Sequence, residues 1–335
     1  MDKIICIGSA TKDIIFPIID GTVIETPEDL EAQKKIVFEL GAKYQVAQSR
    51  HETIGGCAAN VACGLGRLGI EVHCCTRVGS DQTGDWIKEE LQKNGVAVDL
   101  VQAGNHRSDL STIVAHIPSE DRIIFSDRDS NERLEIASDE LKNVGAQWLF
   151  ISSLNGNADE SWESKLDKIL QLSKDEKIKL IFNPGQKNLK SDVAKVVATI
   201  AQSEMVIVNK DEALEIVMSI GKDEAMPRLY NNEKSLNDEK FLAEQLNKIG
   251  AKIVALTDGA RGAWGLAGQE FVHVEAREEK VADTLGAGDA FSSGFIAAHL
   301  KEKSLQECLN WGIVNSSSVV QKYGAVEGLL KEDEI

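Results

Sequence analysis

The sequence predicts an α/β fold: a three-layer αβα sandwich around a mainly parallel central sheet, with a small β-sheet lid beside it. Three observations carry this. Short apolar runs alternate with segments of helical spacing along most of the chain. Two stretches, about 14–53 and 108–127, break that rhythm and read as extended. The 335 residues are 42% hydrophobic and 27% charged, enough apolar content to bury a large core and too much for a disordered chain.

The strand-like runs are IICIGS (4–9), EVHCCTRV (71–78), QWLFIS (147–152), KLIFN (179–183), MVIVN (205–209) and KIVALT (252–257). Helical spacing occupies 56–68, 82–93, 160–174, 190–201, 211–219 and 238–249. Continuous apolar strands separated by helices require a sheet buried on both faces, hence a parallel one. Gly69 and Gly250 stand where helices stop. Ser304 and Glu307 form a capping-box pattern that opens a last helix running towards Gly324. The extended stretches contain IIFPIID, KKIVFEL and KYQVAQ in the first and STIVAHI and RIIFSD in the second. They have no helical partners of their own, which suits a separate lid. The polar stretch 220–237 reads as a surface loop or insertion. The whole of 1–335 then forms one domain, with its lid subdomain drawn from about 14–53 and 108–127.

Charge and punctuation exclude several functions. The net charge of −17 leaves no basic surface for a nucleic acid, although a few local donors can still hold a phosphate. No apolar run approaches the ~20 residues of a membrane span, and the N-terminus lacks a signal-peptide pattern. The expected location is the cytoplasm. The six cysteines show no CxxC pair, so free buried thiols are expected rather than a zinc site. Gly64-Leu65-Gly66-Arg67-Leu68-Gly69 fits G-x-G-x-x-G, but it closes a helix instead of opening one. That weakens a dinucleotide-dependent dehydrogenase. Asp127, Asp129 and Asn131 begin like a calcium loop, which fails at Glu132 and Ser138.

Asp283-Thr284-Leu285-Gly286-Ala287-Gly288-Asp289 precedes AFSSGFIAAHL, read as an amphipathic helix. Two glycines and an alanine at a helix N-terminus let an anion approach unpaired backbone N–H groups. An acid in that first turn either complements the helix dipole or serves as a base beside a bound phosphate. This segment resembles the C-terminal signature of the PfkB carbohydrate kinases, the ribokinase-like sugar kinases. Gly55-Gly56-Cys57-Ala58-Ala59-Asn60 resembles their N-terminal signature. Asn183-Pro184-Gly185, Asn209-Lys210-Asp211-Glu212 and Leu256-Thr257-Asp258-Gly259 are similar to family landmarks in family order.

The resemblance implies a ribokinase-like kinase using ATP and Mg²⁺. It matches Asp289 to the catalytic base and Gly286, Ala287 and Gly288 to an anion hole for the transferring phosphoryl group. It matches Asp13 and Asn60 to groups that bind the acceptor's hydroxyls, and Gly55 and Gly56 to a lid hinge. Asn209 matches a position on the nucleotide side and Glu212 one that acts on Mg²⁺ through water. Thr257, Gly259 and Gly262 match the nucleotide loop, and Asn315 the adenine pocket. A monovalent cation, K⁺, is associated with the Asp283 loop in such kinases. Plain structural roles stand beside these: Asp13 as a turn residue, Asn60 as a polar residue inside a helix, Asn209 as a helix cap. Lys12 and Arg122 either reach the substrate or, as most such residues do, stand as solvated surface charges. Cys57 departs from the smaller residue usual after the double glycine. The acceptor is expected to be a small carbohydrate. A nucleoside is the alternative within the fold, and a non-catalytic sugar- or nucleotide-binding protein the alternative outside it. Apolar edges on the lid offer a surface for a homodimer.

Overall fold

The computed structural model describes residues 2–27, 34–119, 121–220 and 237–335. The expected loop at 220–237 therefore lies, apart from its end residues, outside the described residues. The N-terminal part contains β1 (Lys3–Ile7), β2 (Thr11–Ile18), β3 (Thr22–Glu25), β4 (Lys34–Val37) and β5 (His51–Gly55). It continues with α1 (Cys57–Arg67), β6 (Glu71–Gly79), α2 (Gln82–Lys93), β7 (Val101–Gly104), β8 (Leu110–His116) and β9 (Asp121–Asp127). The middle holds α3 (Ser138–Asn143), β10 (Trp148–Ile151), α4 (Trp162–Glu176), β11 (Lys179–Phe182), α5 (Gly185–Ser191) and α6 (Val193–Ile200). Then come β12 (Met205–Asn209), α7 (Lys210–Ile220), α8 (Glu239–Ile249), β13 (Ile253–Thr257), β14 (Ala263–Ala267) and β15 (Glu270–Val274). The chain closes with α9 (Ala287–Leu300) and α10 (Leu305–Val319).

Among the described residues a nine-stranded sheet runs β15-β14-β13-β12-β11-β10-β1-β6-β7. It is parallel from β13 to β7 and ends in the antiparallel hairpin β14–β15. Side chains alternate between its faces, as the period of a strand demands. Ile4 and Cys6 join the core under α1, α9 and α10, while Ile5 and Ile7 join the opposite core under α4, α7 and α8. This buried, two-faced sheet is the expected three-layer fold. A second sheet, β5-β2-β8-β9, forms the lid, and β3–β4 is a separate hairpin. The lid's inner face packs Ile15, Ile113 and Ala115 against Leu285 and Tyr323 of the body.

Several local expectations change. KYQVAQ (43–48) forms no strand, because its backbone is committed to isolated bonds such as Ala47 N–H to Pro17 O at 2.8 Å. The lid edge is instead His51–Gly55, paired with β2. The helix expected over 190–201 is two helices that meet at Asp192, whose carboxylate caps the second by accepting from Lys195 N–H at 2.9 Å. The helix after Asp289 is not amphipathic: every residue from Ala290 to Ala298 is buried. A helix apolar all round belongs inside, and Gly294 and Gly312 let α9 and α10 lie against each other. A Cβ on Gly294 would come within 2.6 Å of Trp311 O. The Ser304–Glu307 capping box forms, but α10 ends at Val319, short of Gly324. Gly64 and Gly66 of the misleading glycine motif face Ser293 and Asn94, where a Cβ would sit 2.1 and 2.3 Å from the nearest atom. Among the described residues no helix is long and apolar enough to cross a membrane.

Candidate active site

Asp289 lies in the first turn of α9. Gly286, the N-cap, takes φ 76°, a left-handed conformation that glycine adopts without strain. A Cβ there would also meet Ala325 at 2.5 Å. The first bond inside the helix runs from Ala290 N–H to Gly286 O at 2.8 Å, so the amides of Gly288 and Asp289 stand ahead of it. Ala287 N–H is drawn to Thr284 O at 3.3 Å. Nothing lies within 4 Å of where a Gly288 Cβ would be, so the helix end opens onto free space. The turn thus has the form of an anion cradle.

The N-terminus of α1 meets this turn. Asn60 Nδ2 donates to Asp289 Oδ2 at 2.8 Å. The Cys57 thiol, one helical turn earlier, also donates to the Asp289 carboxylate. Burial raises the Asp289 pKa from 3.8 to about 6, against the opposing pull of these two donors. The acid is therefore ionised at neutral pH and still able to take a proton. Asn60 Oδ1 is buried with no partner among the described residues, an acceptor without a donor. Asp289 in turn pushes the Cys57 thiol well above its usual range, so that it stays protonated.

Asp13 faces the same region from β2. It is 5% exposed and accepts from Thr11 Oγ1 at 2.9 Å. Burial raises its pKa, opposed by hydrogen bonds from Ser111 and Thr11 and by the Arg128 charge. Gly55 is a glycine for a concrete reason: a Cβ there would lie 2.0 Å from Asp13 Oδ2. Gly56, the N-cap of α1, has φ 92°, and a Cβ there would lie 2.5 Å from Ser9 O.

On the other side, Asn209 and Glu212 cap α7 reciprocally. Asn209 N–H donates to Glu212 Oε2 at 3.0 Å, and Glu212 N–H to Asn209 Oδ1 at 2.8 Å. Burial raises the Glu212 pKa, with a further push from Asp289. Thr257 ends β13, and Gly259 to Arg261 form a 3₁₀ turn closed by Gly262. Lys210 Nζ binds Glu239 Oε1 at 2.7 Å and lies 3.7 Å from Asp258 Oδ2, tying α7 to that turn.

Asn315 lies inside the body, with its polar atoms engaged by the protein. It is 0% exposed, its amide donates to Ala290 O at 2.9 Å, and its Oδ1 accepts from Leu330 N–H at 3.0 Å. Its polar atoms join α10, α9 and the C-terminal segment, a structural role beside the expected adenine contact. Asp283 accepts from Leu285 N–H at 3.0 Å, while its Oδ2 is buried without a partner among the described residues.

Cys57, noted in the sequence only as a departure from the signature, and Arg122, weighed as a substrate contact or a surface charge, both stand here. Cys57 precedes Asn60 by three, a spacing that puts both on one helix face. Arg122 is no solvated charge: its Nη1 donates to Thr284 Oγ1 at 2.6 Å and lies 3.6 Å from Asp283 Oδ1. Lys12 stays outside, paired with Glu52 at 2.6 Å over the Trp86 ring.

Comparison with known proteins bears on this geometry. The sequence profile of the pfkB family carbohydrate kinases matches residues 28–332. An uncharacterized sugar kinase of Archaeoglobus fulgidus is 29% identical over 266 residues, spanning 79% of this chain and 98% of its own. A 5-dehydro-2-deoxygluconokinase of Bacillus subtilis is 27% identical over 295 residues, or 84% of this chain and 85% of its own. An ATP-dependent 6-phosphofructokinase of Thermoanaerobacterium thermosaccharolyticum is 27% identical over 295 residues, spanning 84% of this chain and 83% of its own. Among solved structures, Arabidopsis thaliana ribokinase complexed with ribose and ATP superposes with a TM-score of 0.75 at 19% identity, covering 99% of this chain and 97% of that one. A Burkholderia thailandensis nucleoside kinase in complex with inosine gives 0.73 at 17% identity, covering 99% and 95%. The fold is ribokinase-like, and the chain is a phosphotransferase with an alcohol group as acceptor. It belongs to the pfkB family of carbohydrate kinases.

Proposed function

We propose that this kinase transfers the γ-phosphoryl group of ATP to a hydroxyl of a small carbohydrate, with Asp289 as general base. The observation that carries this reading is the pairing of Asp289 with the open glycine turn, braced by Asn60 at 2.8 Å. The acceptor hydroxyl gives its proton to Asp289, while the Gly288 and Asp289 amides, with Gly286 and Ala287 shaping the turn, stabilise charge on the phosphoryl oxygens. ATP supplies the phosphoryl group when bound. Asn60 Oδ1 and the Asp13 carboxylate accept from other acceptor hydroxyls, which ends the isolation of Asn60 Oδ1. The lid, swinging at Gly55 and Gly56, covers the acceptor and keeps water from the phosphoryl group.

Among the described residues no cluster of three His, Cys, Asp or Glu side chains stands ready for a metal. That fits a Mg²⁺ ion that arrives with the nucleotide and meets Glu212 through water. The unpartnered Asp283 Oδ2 fits a monovalent cation such as K⁺. Asn209, Thr257, Gly259 and Gly262 border the nucleotide on the far side of the turn. Six free thiols suit the cytoplasm. The exposed lid face suits pairing of two copies. The retained base speaks against a protein that only binds sugar or nucleotide.

The test is ATP consumption with Mg²⁺ and K⁺ against ribose, fructose, 2-keto-3-deoxygluconate, fructose 6-phosphate and adenosine, with Asp289→Asn alongside. Turnover on a sugar that vanishes in the variant is expected. Turnover on adenosine alone would move the acceptor to a nucleoside, and near wild-type turnover in the variant would remove Asp289 as base.

A further inference from the structure

Among the described residues the chain passes between body and lid four times: after β1, from β5 into α1, from β7 into β8, and after β9. Three of these crossings meet at one buried junction made by two side chains, Asp109 at 1% exposed and Asn131 at 3%. Asp109 Oδ1 accepts from the N–H groups of Asp129, Ser130 and Asn131 at 2.9, 2.9 and 3.2 Å. Its Oδ2 accepts from Asn131 Nδ2 at 2.9 Å. Asn131 reaches the first crossing: Nδ2 donates to Ala10 O at 2.7 Å, and Oδ1 accepts from Ala10 N–H at 3.3 Å.

The body holds this junction from two sides. Thr76, fully buried on β6, donates from Oγ1 to Asn131 Oδ1 at 2.9 Å. Lys165 of α4, itself buried, donates from Nζ to Glu132 O at 2.7 Å. The fourth crossing lies alongside, since a Gly56 Cβ would stand 2.5 Å from Ser9 O, next to Ala10. A buried carboxylate that accepts from four N–H donors is costly to undo. The two glycines of the fourth crossing absorb φ/ψ change cheaply. A sheet held at one corner and loose at the glycines turns about that corner and does not slide.

The junction also reaches the acceptor side along β2. Lys12 N–H donates to Asp109 O at 3.1 Å, so the residue before Asp13 is bonded to it. Asp13 rides on the lid, whereas Asn60 and Asp289 belong to the body. We infer that Asp109 and Asn131 are positioning residues: their bonds form the pivot of the lid and so set where Asp13 stands against Asn60 and Asp289 when the lid closes. The inference rests on the kinase reading above and adds, to the hinge at Gly55 and Gly56, the point about which the lid turns. Both residues act through Asp13 rather than on the acceptor itself.

The experiment measures kcat, acceptor KM, ATP KM and the ATP consumed per acceptor phosphorylated, with the best sugar of the panel. Hydrogen exchange of the lid strands is followed in the same chains. These are wild type, Thr76→Val, Asp109→Asn, Asn131→Asp and the double swap of Asp109→Asn with Asn131→Asp. Asp109→Asn sets an amide donor against the Asn131 amide, and Asn131→Asp sets two carboxylates face to face. Each should lower kcat/KM for the acceptor by roughly 10–10²-fold, leave ATP KM near wild type and raise the ATP wasted per transfer. The swap sets a donor against an acceptor again and should recover part of the loss. Thr76→Val removes one bond and keeps the shape, so it decides the matter where the others do not fold; the same pattern, weaker, is expected. Equal rises in acceptor and ATP KM, or wild-type acceptor KM and coupling in every folded variant, overturn the pivot and leave the kinase intact. Absence of Asp289-dependent ATP consumption on every acceptor overturns the kinase reading instead. Hydrogen exchange then decides the pivot: faster exchange of β2, β8 and β9 together in Thr76→Val, with the body sheet unchanged, supports it, and unchanged exchange rejects it.

Discussion

Around Asp289 the contacts are buried and join two helix starts, whereas the lid, beyond its chain crossings, meets the body through a small apolar cluster, the Arg122–Thr284 bond and the stacking of His51 on Tyr323. Asn60 and Asp289 sit at the starts of α1 and α9, which pack without gaps where Gly64 lies against Ser293. The lid rests Ile15, Ile113 and Ala115 on Leu285 and Tyr323, while its outer side exposes Leu40 at 103% and Phe125 at 60%. The proposed roles make different demands. A proton acceptor must keep its geometry, since a misplacement of ~1 Å can cost ~10²-fold in rate. A cover must open, so its contacts must be ones that can be broken and remade.

The largest test strikes the fixed corner. Asp289→Asn should lower kcat by about 10²–10⁴-fold with ATP affinity kept. The same substitution should raise Tm. The folded-state pKa is about 6 against 3.8 for a free carboxyl, so folding favours the protonated form. Ionised Asp289 therefore destabilises the fold above about pH 6, an effect that fades as the pH falls towards 3.8. Removing it should gain about 1–3 kcal/mol at pH 8 and little at pH 4. Thermal melts at the two pH values check this, and a loss of stability at pH 8 would contradict the burial argument.

Gly55→Ala comes next. Its Cβ would lie 2.0 Å from Asp13 Oδ2, which forces either the carboxylate or the strand to move. A cost of ~1–3 kcal/mol is expected, with acceptor KM raised and nucleotide KM little changed. If acceptor KM stays put, Asp13 is not part of the acceptor site.

Asn60→Ala tests the donor that holds the base. Without it the Asp289 pKa rises above about 6, so the acid limb of the kcat/KM profile moves to higher pH. The rate deficit should be several-fold greater at pH 6 than at pH 8. A uniform deficit across pH would assign Asn60 to acceptor binding alone.

The smallest effect belongs to the lid's outer face. Leu40→Ser and Phe125→Ser should change stability by less than ~0.5 kcal/mol. If the face pairs two copies, Phe125→Asp should shift the wild-type dimer towards monomer in light scattering. A wild-type monomer removes the pairing.

The layers of the body were legible from sequence because its signals are local. Gln82–Lys93 shows both its cap and its period, and Gly69 marks the end of α1. The lid edge His51–Gly55 was not, since HETIG has no apolar run and becomes a strand only by pairing with β2. The hairpin β14–β15 was missed for a similar reason: AWGLA and EFVHV join the sheet as antiparallel edges outside the strand–helix rhythm. At the site, family resemblance pointed to Asp289 and Asn60, but the bond between them is a fact of three dimensions. For Asn315 the helix was readable and the bonds its side chain makes to Ala290 and Leu330 were not. Arg122 was left between a substrate contact and a surface charge, since nothing local ties it to Thr284.

The Asn60–Asp289 bond spans 229 residues. On a ribosome α1 emerges long before α9, so Asn60 waits through most of the synthesis for the carboxylate it binds. The corner where the two helices start is therefore assembled by the late part of the chain and cannot form from the early part alone.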